Sequence, residues 1–559
     1  MATAAARTRR ALFTRSLLLA SLLSALASTA YARPFRGSVP FSVILCRSSD
    51  AGTPPRDPLY FQNLVFNQGT GGLADYWRDA SYQNVNLIGS VVRGWYTVPK
   101  TTAQWQALAN RSDKAKICED AAKNDAAQPY TIPANHRKIF VTFPGIDFFG
   151  GSGGAFLDIN VDVGGLAHEG GHGIGLNHSF SNDFEYLNAW WAQIGEYDDP
   201  WDAMSWANAW SVPTPFGAGP PWMIAYNLDR MGWLPRTRIV TFGASGSMRA
   251  AVTLAALSHP TSPGALLVRV PFDIDDPMHY YTIEFRRRDS WDAGIPANAI
   301  LIHEVRKHFD SGGNYLGHVA FLIRVLVDPN KAPAQQLDTN GVSIRLESIN
   351  TTNHTARVSI VSSFPRRCLQ GFVWRESRSY DFVCVPGPER TETRQENTLA
   401  SSRVQPGGGP FGPDTCKPGF VWREAIPSAW RTDDPDDHVC VPPASRQRAR
   451  DSNQQASSRS NPARLTFGPN TCKPGFVWRE ADDFDWVCVT PAGRTQTRDD
   501  NTQAASRREP GGGPFGPDTC KQGFVWREAF PGDHVCVTPA TRSQTAADNA
   551  QAEQRLLEI

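Results

Sequence analysis

Residues 168–178 read His168-Glu169-Gly170-Gly171-His172-Gly173-Ile174-Gly175-Leu176-Asn177-His178, and this string constrains local structure more tightly than any other part of the 559-residue chain. On a helix, residues four apart share a face, so His168 and His172 can aim their imidazoles at one ion. Glu169, one position on, points about 100° away, where it can hold a water rather than the metal. Gly175 can take the left-handed conformation that ends a helix and turns the chain, returning His178 as a third ligand. The fourth position stays open, which is the arrangement of a catalytic rather than a structural zinc. With only 12 histidines present, the full pattern arises by accident in on the order of one in fifty thousand such chains.

The competing reading is a glycine-rich buried helix whose histidines are merely hydrogen-bonded. Gly164, Gly165, Gly170, Gly171 and Gly173 favour it, since each weakens a helix by about 1 kcal/mol relative to alanine. Burial beneath the preceding sheet and metal ligation are the natural offsets. His303 and His308 serve as a control. Five apart, they fall on opposite faces of a strand, so this second His-Glu string is expected to end a strand and to bind no metal.

Downstream, Gly195-Glu196-Tyr197-Asp198-Asp199-Pro200-Trp201-Asp202-Ala203-Met204-Ser205 resembles the Met-turn of metzincin metallopeptidases, in which a methionine sits in a tight turn beneath the zinc site. With residues 73–82, Gly94-Trp95-Tyr96-Thr97 and the histidine string, the wording is similar to the gametolysin and immune-inhibitor-A group of secreted peptidases. The resemblance covers roughly residues 40–235, with weaker echoes to about 365, and does not reach the C-terminal third. It implies one catalytic zinc on His168, His172 and His178, Glu169 as general base, Met204 as support, and a protein or peptide substrate. Some metzincins place a tyrosine two residues after the methionine. Here Trp206 stands there, without an oxygen to ligate, so three histidines and water are expected to suffice. The acids Glu196, Asp198, Asp199 and Asp202 raise a Ca2+ site as an alternative to a locally hydrogen-bonded turn.

Export is the second constraint. Arg7, Arg9, Arg10 and Arg15, an apolar run from Leu17 to Ala27, and Ala30-Tyr31-Ala32 read as a signal peptide over residues 1–32. The segment 8–13 also resembles a twin-arginine signal, and the two export routes are not separable from these residues. No later stretch reaches spanning length, so the mature chain is expected to have no membrane span and to be extracellular. Formal charge is +1, from 56 basic and 55 acidic residues, with no basic tract, which argues against nucleic acid as a partner. In an oxidising compartment the ten cysteines become disulfide candidates. A Cys46–Cys118 bridge closes a long loop and contributes about 4 kcal/mol, against the alternative of two buried thiols.

Strands are expected at 41–46, 85–92 and 138–143, ahead of a histidine helix over 163–176, giving an α/β catalytic domain at 33–238. From 239 to 365, short alternating runs punctuated by Gly, Pro and Asn imply an all-β sandwich-like domain without a catalytic constellation. The remainder is a repeat array. Cys368-Leu369-Gln370-Gly371-Phe372-Val373-Trp374-Arg375-Glu376 recurs from Cys416, Cys472 and Cys520, and each copy closes at Cys384, Cys440, Cys488 or Cys536. Asn397, Asn453, Asn501 and Asn549, then Arg403, Arg459, Arg507 and Arg555, keep step with it. The second copy carries an insertion around 428–435. Four small disulfide-stapled units are expected, at 366–404, 405–460, 461–508 and 509–559, pairing Cys368–Cys384, Cys416–Cys440, Cys472–Cys488 and Cys520–Cys536. Linkers such as 405–410 would leave them semi-independent. Trp374, Trp422, Trp478 and Trp526 read as core residues or, alternatively, as platforms for a cell-surface or polysaccharide ligand.

These readings point to a secreted zinc endopeptidase with Glu169 moving the proton. The rival is a secreted adhesive protein that works through its repeats and carries an inactive peptidase-like domain.

Overall fold

The apolar run Phe41-Ser42-Val43-Ile44-Leu45-Cys46, buried throughout, builds the first sheet. The computed structural model describes residues 35–557 apart from 152–153, 183–185, 187–196, 206–208, 243–248, 274–275, 310–312, 328–334, 363–367, 379–380, 426–436 and 461–467. The expected signal peptide, Glu196, Trp206 and the insertion around 428–435 lie outside the described residues. Strand β1 (Phe41–Arg47) runs between β2 (Val91–Thr97) and β3 (Arg137–Phe143), and β4 (Ala155–Asp158) completes an all-parallel sheet in the order β2-β1-β3-β4. Such a sheet needs cover on both faces. Val43 and Leu45 pack with Phe61, Leu64, Trp77 and Leu166, whereas Ile44 and Cys46 pack with Trp105, Cys118, Phe140 and Phe156. The first face carries the histidine helix (Val163–Gly173), and the second carries helix Arg111–Asn124, to which the Cys46–Cys118 disulfide ties β1. The run expected as one strand at 85–92 is split. Val85–Asn86 pairs with Gly37–Ser38, and a turn at Gly89 (φ +91°) separates it from β2.

Residues 239–362 supply two sheets with a common core. The larger has the order Ile239–Thr241, Leu267–Pro271, Tyr280–Arg286, Ala299–Phe309, Tyr315–Leu326, Phe180–Ser181. The smaller has the order Arg249–Ala255, Thr355–Ser362, Val342–Asn350, Gln336–Thr339. Ile283, Phe285, Ile300 and Ile302 of the first meet Ile344, Leu346, Val358 and Ile360 of the second. The boundary expected at 238/239 does not isolate this part of the chain. Phe180–Ser181, just after His178, is an edge strand of the larger sheet, with Phe180 opposite Phe321 and Ser181 opposite Leu322. Arg286, fully buried, binds Asp292 and also donates to the carbonyls of Trp201 and Trp222 at 2.7 and 2.8 Å. The two regions share an interior.

Each C-terminal unit is a two-strand ladder with one disulfide and a helix, and the four bridges follow the expected pairing. The repeat tryptophans are only partly buried; the buried side chain is the next residue, Arg375, Arg423, Arg479 or Arg527. Each guanidinium is held by Asp381, Asp437, Asp485 or Asp533, with Nε–O distances of 2.7 to 2.8 Å. Its remaining donors cross to another unit. Arg423 reaches Asn397, Arg479 reaches Asn549 and Arg527 reaches Asn501 at 2.8 to 2.9 Å, while Arg375 reaches the Ala425 carbonyl at 2.9 Å. The periodic arginines complete the exchange: Arg403 lies over Phe420, Arg459 over Phe372, Arg507 over Phe524 and Arg555 over Phe476, at 5.0 to 5.4 Å. Units 1 and 2 therefore form one reciprocal pair and units 3 and 4 another. This corrects the expectation of semi-independence, because a buried guanidinium must have its donors satisfied and part of the acceptor set sits on the partner unit.

Pair 3–4 is seated on the base of the first region. Arg36 bonds Asp482 at 2.7 Å and lies 4.3 Å from the Phe530 ring, and Asn470 donates to the Asp229 carbonyl at 2.7 Å. Among the described residues no helix is long and apolar enough to cross a membrane.

Candidate metal centre

The histidine helix begins at an Asp162 cap, whose carboxylate accepts the Gly165 N–H at 2.8 Å. Its glycines answer to close packing. A Cβ on Gly170 would lie 2.8 Å from the Trp77 indole, and one on Gly171 would overlap the Met204 sulfur. The helix ends at Gly173, three residues short of the expected Leu176, because a Schellman turn closes it: Leu176 N–H to Gly171 O and Gly175 N–H to His172 O, both 3.0 Å. Gly175 has φ +92°, as the motif requires. The chain then doubles back and delivers His178.

The three Nε2 atoms converge. His168 and His172 are 3.2 Å apart, His168 and His178 3.2 Å, and His172 and His178 3.0 Å. The outer nitrogens settle the tautomers of two rings: His168 Nδ1 donates to the Ala203 carbonyl at 3.1 Å and His172 Nδ1 to the Leu176 carbonyl at 2.9 Å. A carbonyl only accepts, so those protons sit on Nδ1 and the facing Nε2 lone pairs are bare. The lone pairs of His168 and His172 face each other at 3.2 Å and repel, and a cation at the focus of the triangle relieves this. Two nitrogens about 2.05 Å from one tetrahedral zinc stand ~3.3 Å apart, close to the edges found here. Burial lowers His168 to about 4 and His178 to about 3, with neighbouring imidazoles adding to both, and burial also lowers His172. All three are thus neutral at pH 7, the form that binds metal.

Glu169 points elsewhere. Its carboxylate takes no hydrogen bond from the described residues, and burial raises it to about 7 against the opposing charge of Arg111. Gly150 lies directly over its Oε2, in a place no side chain could fill. That segment is pinned at the outer sheet edge, where Phe149 and Phe156 exchange N–H···O bonds of 3.0 and 2.8 Å. Asp147 adds an ion pair with Lys114 at 2.8 Å.

Met204 underlies the helix through Gly171, and its neighbour Ala203 supplies the carbonyl that orients His168. The nearby acids are struts. Asp198 accepts Ser181 N–H at 2.7 Å, Asp199 accepts Trp201 N–H and His303 Nε2–H at 3.1 Å each, and Asp202 accepts Ile224 N–H at 3.2 Å and Asn227 Nδ2–H at 2.7 Å, with Ser179 beside it. All three are fully buried; Asp199 and Asp202 are held by these donors as in a hydrogen-bonded turn, while Asp198 keeps one buried oxygen, Oδ2, that no described residue bonds. Two participants escaped the sequence reading. His303 lies in strand Ala299–Phe309, as the control required, yet it is a buried partner of Asp199; its place on the inward face with Leu301 and Val305 was the available signal. Tyr197 brings its ring to 4.5 Å from His178 and 5.8 Å from His168, from a position that no spacing rule marks.

A second group, His259, Asp289 and His354, has ligand atoms within 4.8 Å. There the two rings stack at 3.7 Å and 8°, so their in-plane lone pairs run parallel, and Arg287 already pairs with Asp289 at 2.9 Å. It lacks the convergence of the first site. No protein-family model matches the chain, and no curated protein matches it in sequence.

Proposed function

We propose that the chain is a secreted, zinc-dependent endopeptidase of the metzincin kind. The observation that carries this is the triangle of Nε2 atoms, 3.0 to 3.2 Å on a side, two of them bare by tautomer, with a carboxylate on the adjacent helix position that takes no hydrogen bond from the described residues. Zinc bound by His168, His172 and His178 supplies a Lewis acid that acidifies water and polarises a carbonyl. Glu169 accepts the proton of the attacking water and hands it to the leaving amine. Burial suits it to that exchange, since it raises the carboxyl above the ordinary carboxylate range and so makes it a stronger base than an exposed glutamate. The carbonyls of Ala203 and Leu176 hold two rings in the ligating tautomer, and Met204 fills the space beneath.

The test is Glu169→Gln. It keeps the side chain's size and should keep one zinc per chain while abolishing hydrolysis of a generic protein substrate, which chelators also abolish in the wild type. Near wild-type proteolysis by zinc-loaded Glu169→Gln would refute the assignment.

A binding role for the repeats has its own support. Phe411 and Phe515 are each 73% exposed beside Trp422 and Trp526, which stack on His438 and His534 at 3.9 and 4.2 Å. Retention of the purified protein on an insoluble polysaccharide, lost in a Phe411→Ala/Phe515→Ala variant, would favour that reading.

A further inference from the structure

We propose that the fourth repeat unit holds a docking site for an arginine of a partner protein. The third unit supplies the precedent. There the loop from Asp482 to Asp485 receives Arg236 of the first region through three carbonyls: that of Asp483 accepts the backbone N–H at 2.9 Å, and those of Asp482 and Asp485 accept the guanidinium at 2.8 Å each. The Trp486 ring lies 5.9 Å from the same guanidinium. Main chain and side chain of one arginine are thus read together, which is recognition of a peptide and not of a bare cation.

The fourth unit repeats this loop over open space. Phe530, Pro531, Gly532 and Asp533 stand at the places of Asp482, Asp483, Phe484 and Asp485, and His534 stands at that of Trp486. The loop is built the same way. Arg527 grips Asp533 as Arg479 grips Asp485, and the Phe530 carbonyl accepts the Asp533 N–H at 3.0 Å as the Asp482 carbonyl accepts the Asp485 N–H at 3.3 Å. Where the third unit meets Arg236, these residues border a cavity of about 470 Å³, with Trp526, Glu528 and Arg36 among its walls. Gly532 helps to open it, since a Cβ there would meet nothing within 4 Å. The carbonyls of Phe530 and Asp533 each accept one backbone N–H, from Asp533 and Glu528, and a carbonyl oxygen can take two, as that of Asp482 does. Glu528 brings a carboxylate, and Trp526 and His534, stacked at 4.2 Å, bring aromatic faces. The charge of Arg36 is met by Asp482 at 2.7 and 3.2 Å, and on the third unit the two guanidinia of Arg36 and Arg236 already share that residue. Phe515, 73% exposed and 6.1 Å from Trp526, extends the surface for an apolar neighbour of the arginine. Charge and precedent favour an arginine-bearing peptide segment over a sugar.

The experiment uses full-length, zinc-loaded Glu169→Gln protein, so that no peptide is cut, and the capped peptide Leu-Pro-Arg-Thr, the sequence of residues 234–237 that the third unit receives. Isothermal calorimetry should find one site per chain with a dissociation constant of about 1 mM or tighter. Citrulline in place of arginine keeps the shape, removes the charge and should weaken binding at least about fivefold. His534→Trp copies the third unit and should tighten binding about fivefold, whereas His534→Arg, which sets a guanidinium of its own in the cavity, should abolish it. Far-UV circular dichroism and a disulfide count establish that each variant is folded. No binding of millimolar peptide, equal affinity for the citrulline peptide, or binding untouched by His534→Arg overturns the proposal. Retention on a polysaccharide that His534→Arg abolishes, without affinity for the peptide, gives the face to sugar and overturns it as well. None of these outcomes bears on cleavage, so the peptidase reading stands or falls separately.

Discussion

Adding one methyl group at Gly171 sets two effects of known size against each other. Alanine in a helix interior is favoured over glycine by about 0.8–1.0 kcal/mol. The new Cβ, however, would overlap the sulfur of Met204, which is fully buried. Overpacking of this kind costs about 1–3 kcal/mol, so Gly171→Ala should destabilise by up to ~2 kcal/mol. Gly170→Ala should do at least as much, because its Cβ would lie 2.8 Å from the buried Trp77 indole, which is stiffer than a methionine. Gly173→Ala meets nothing within 4 Å and should stabilise by about 0.5–1 kcal/mol. Urea unfolding of the chelated protein reads the order, with the helix and its packing as the unit that melts. A zinc titration adds a second readout: Met204 adjoins the carbonyl that orients His168, so Gly171→Ala should also weaken zinc binding. Pairing Gly171→Ala with Met204→Ala measures the coupling directly. Three glycines that all stabilise equally on substitution would refute the packing account and leave ligation alone to explain the glycine-rich helix.

Other consequences follow from the buried charges. Arg286→Met leaves Asp292 and the carbonyls of Trp201 and Trp222 without their donor, a loss of about 3–5 kcal/mol; calorimetry should show both regions destabilised together, and a shift confined to one would contradict a shared interior. His303 has its proton opposed by burial but held by Asp199, Glu284 and Asp202, so its folded pKa lies above the ordinary 6.5. A raised folded value gives stability that is whole below about 6.5 and is lost as pH rises through that value, so the advantage of wild type over His303→Phe should be larger at about pH 5.5 than at about pH 9. Asn549→Ala removes the Oδ1 that Arg479 uses across the unit boundary, which costs about 1.5–3 kcal/mol; limited proteolysis should then open pair 3–4 and leave pair 1–2 intact.

Local rules carried the sequence reading of the centre. A period of 3.6 and a left-handed glycine placed His168, His172 and His178 together, since those constraints act within eleven residues. Cysteine spacing in a repeated motif gave the pairing for the same reason. What it missed is non-local. Phe180–Ser181 is too short to show alternation, and its membership in the larger sheet depends on residues 141 positions away. The burial of the repeat arginines left no local mark, because arginine is rarely buried unless paired and their acceptors lie partly on another unit. The acidic cluster left a Ca2+ site open beside a hydrogen-bonded turn because nothing adjacent in sequence announces the Ser181, His303 and Asn227 donors that reach Asp198, Asp199 and Asp202.

The account stands most directly on what fills the imidazole triangle. X-ray absorption at the zinc edge on protein purified without added metal, with elemental analysis of the same sample, should show one zinc per chain bound by three imidazole nitrogens at about 2.0–2.1 Å and one lighter oxygen ligand. A protein free of zinc that binds none on titration, or zinc held by other ligands, would contradict it.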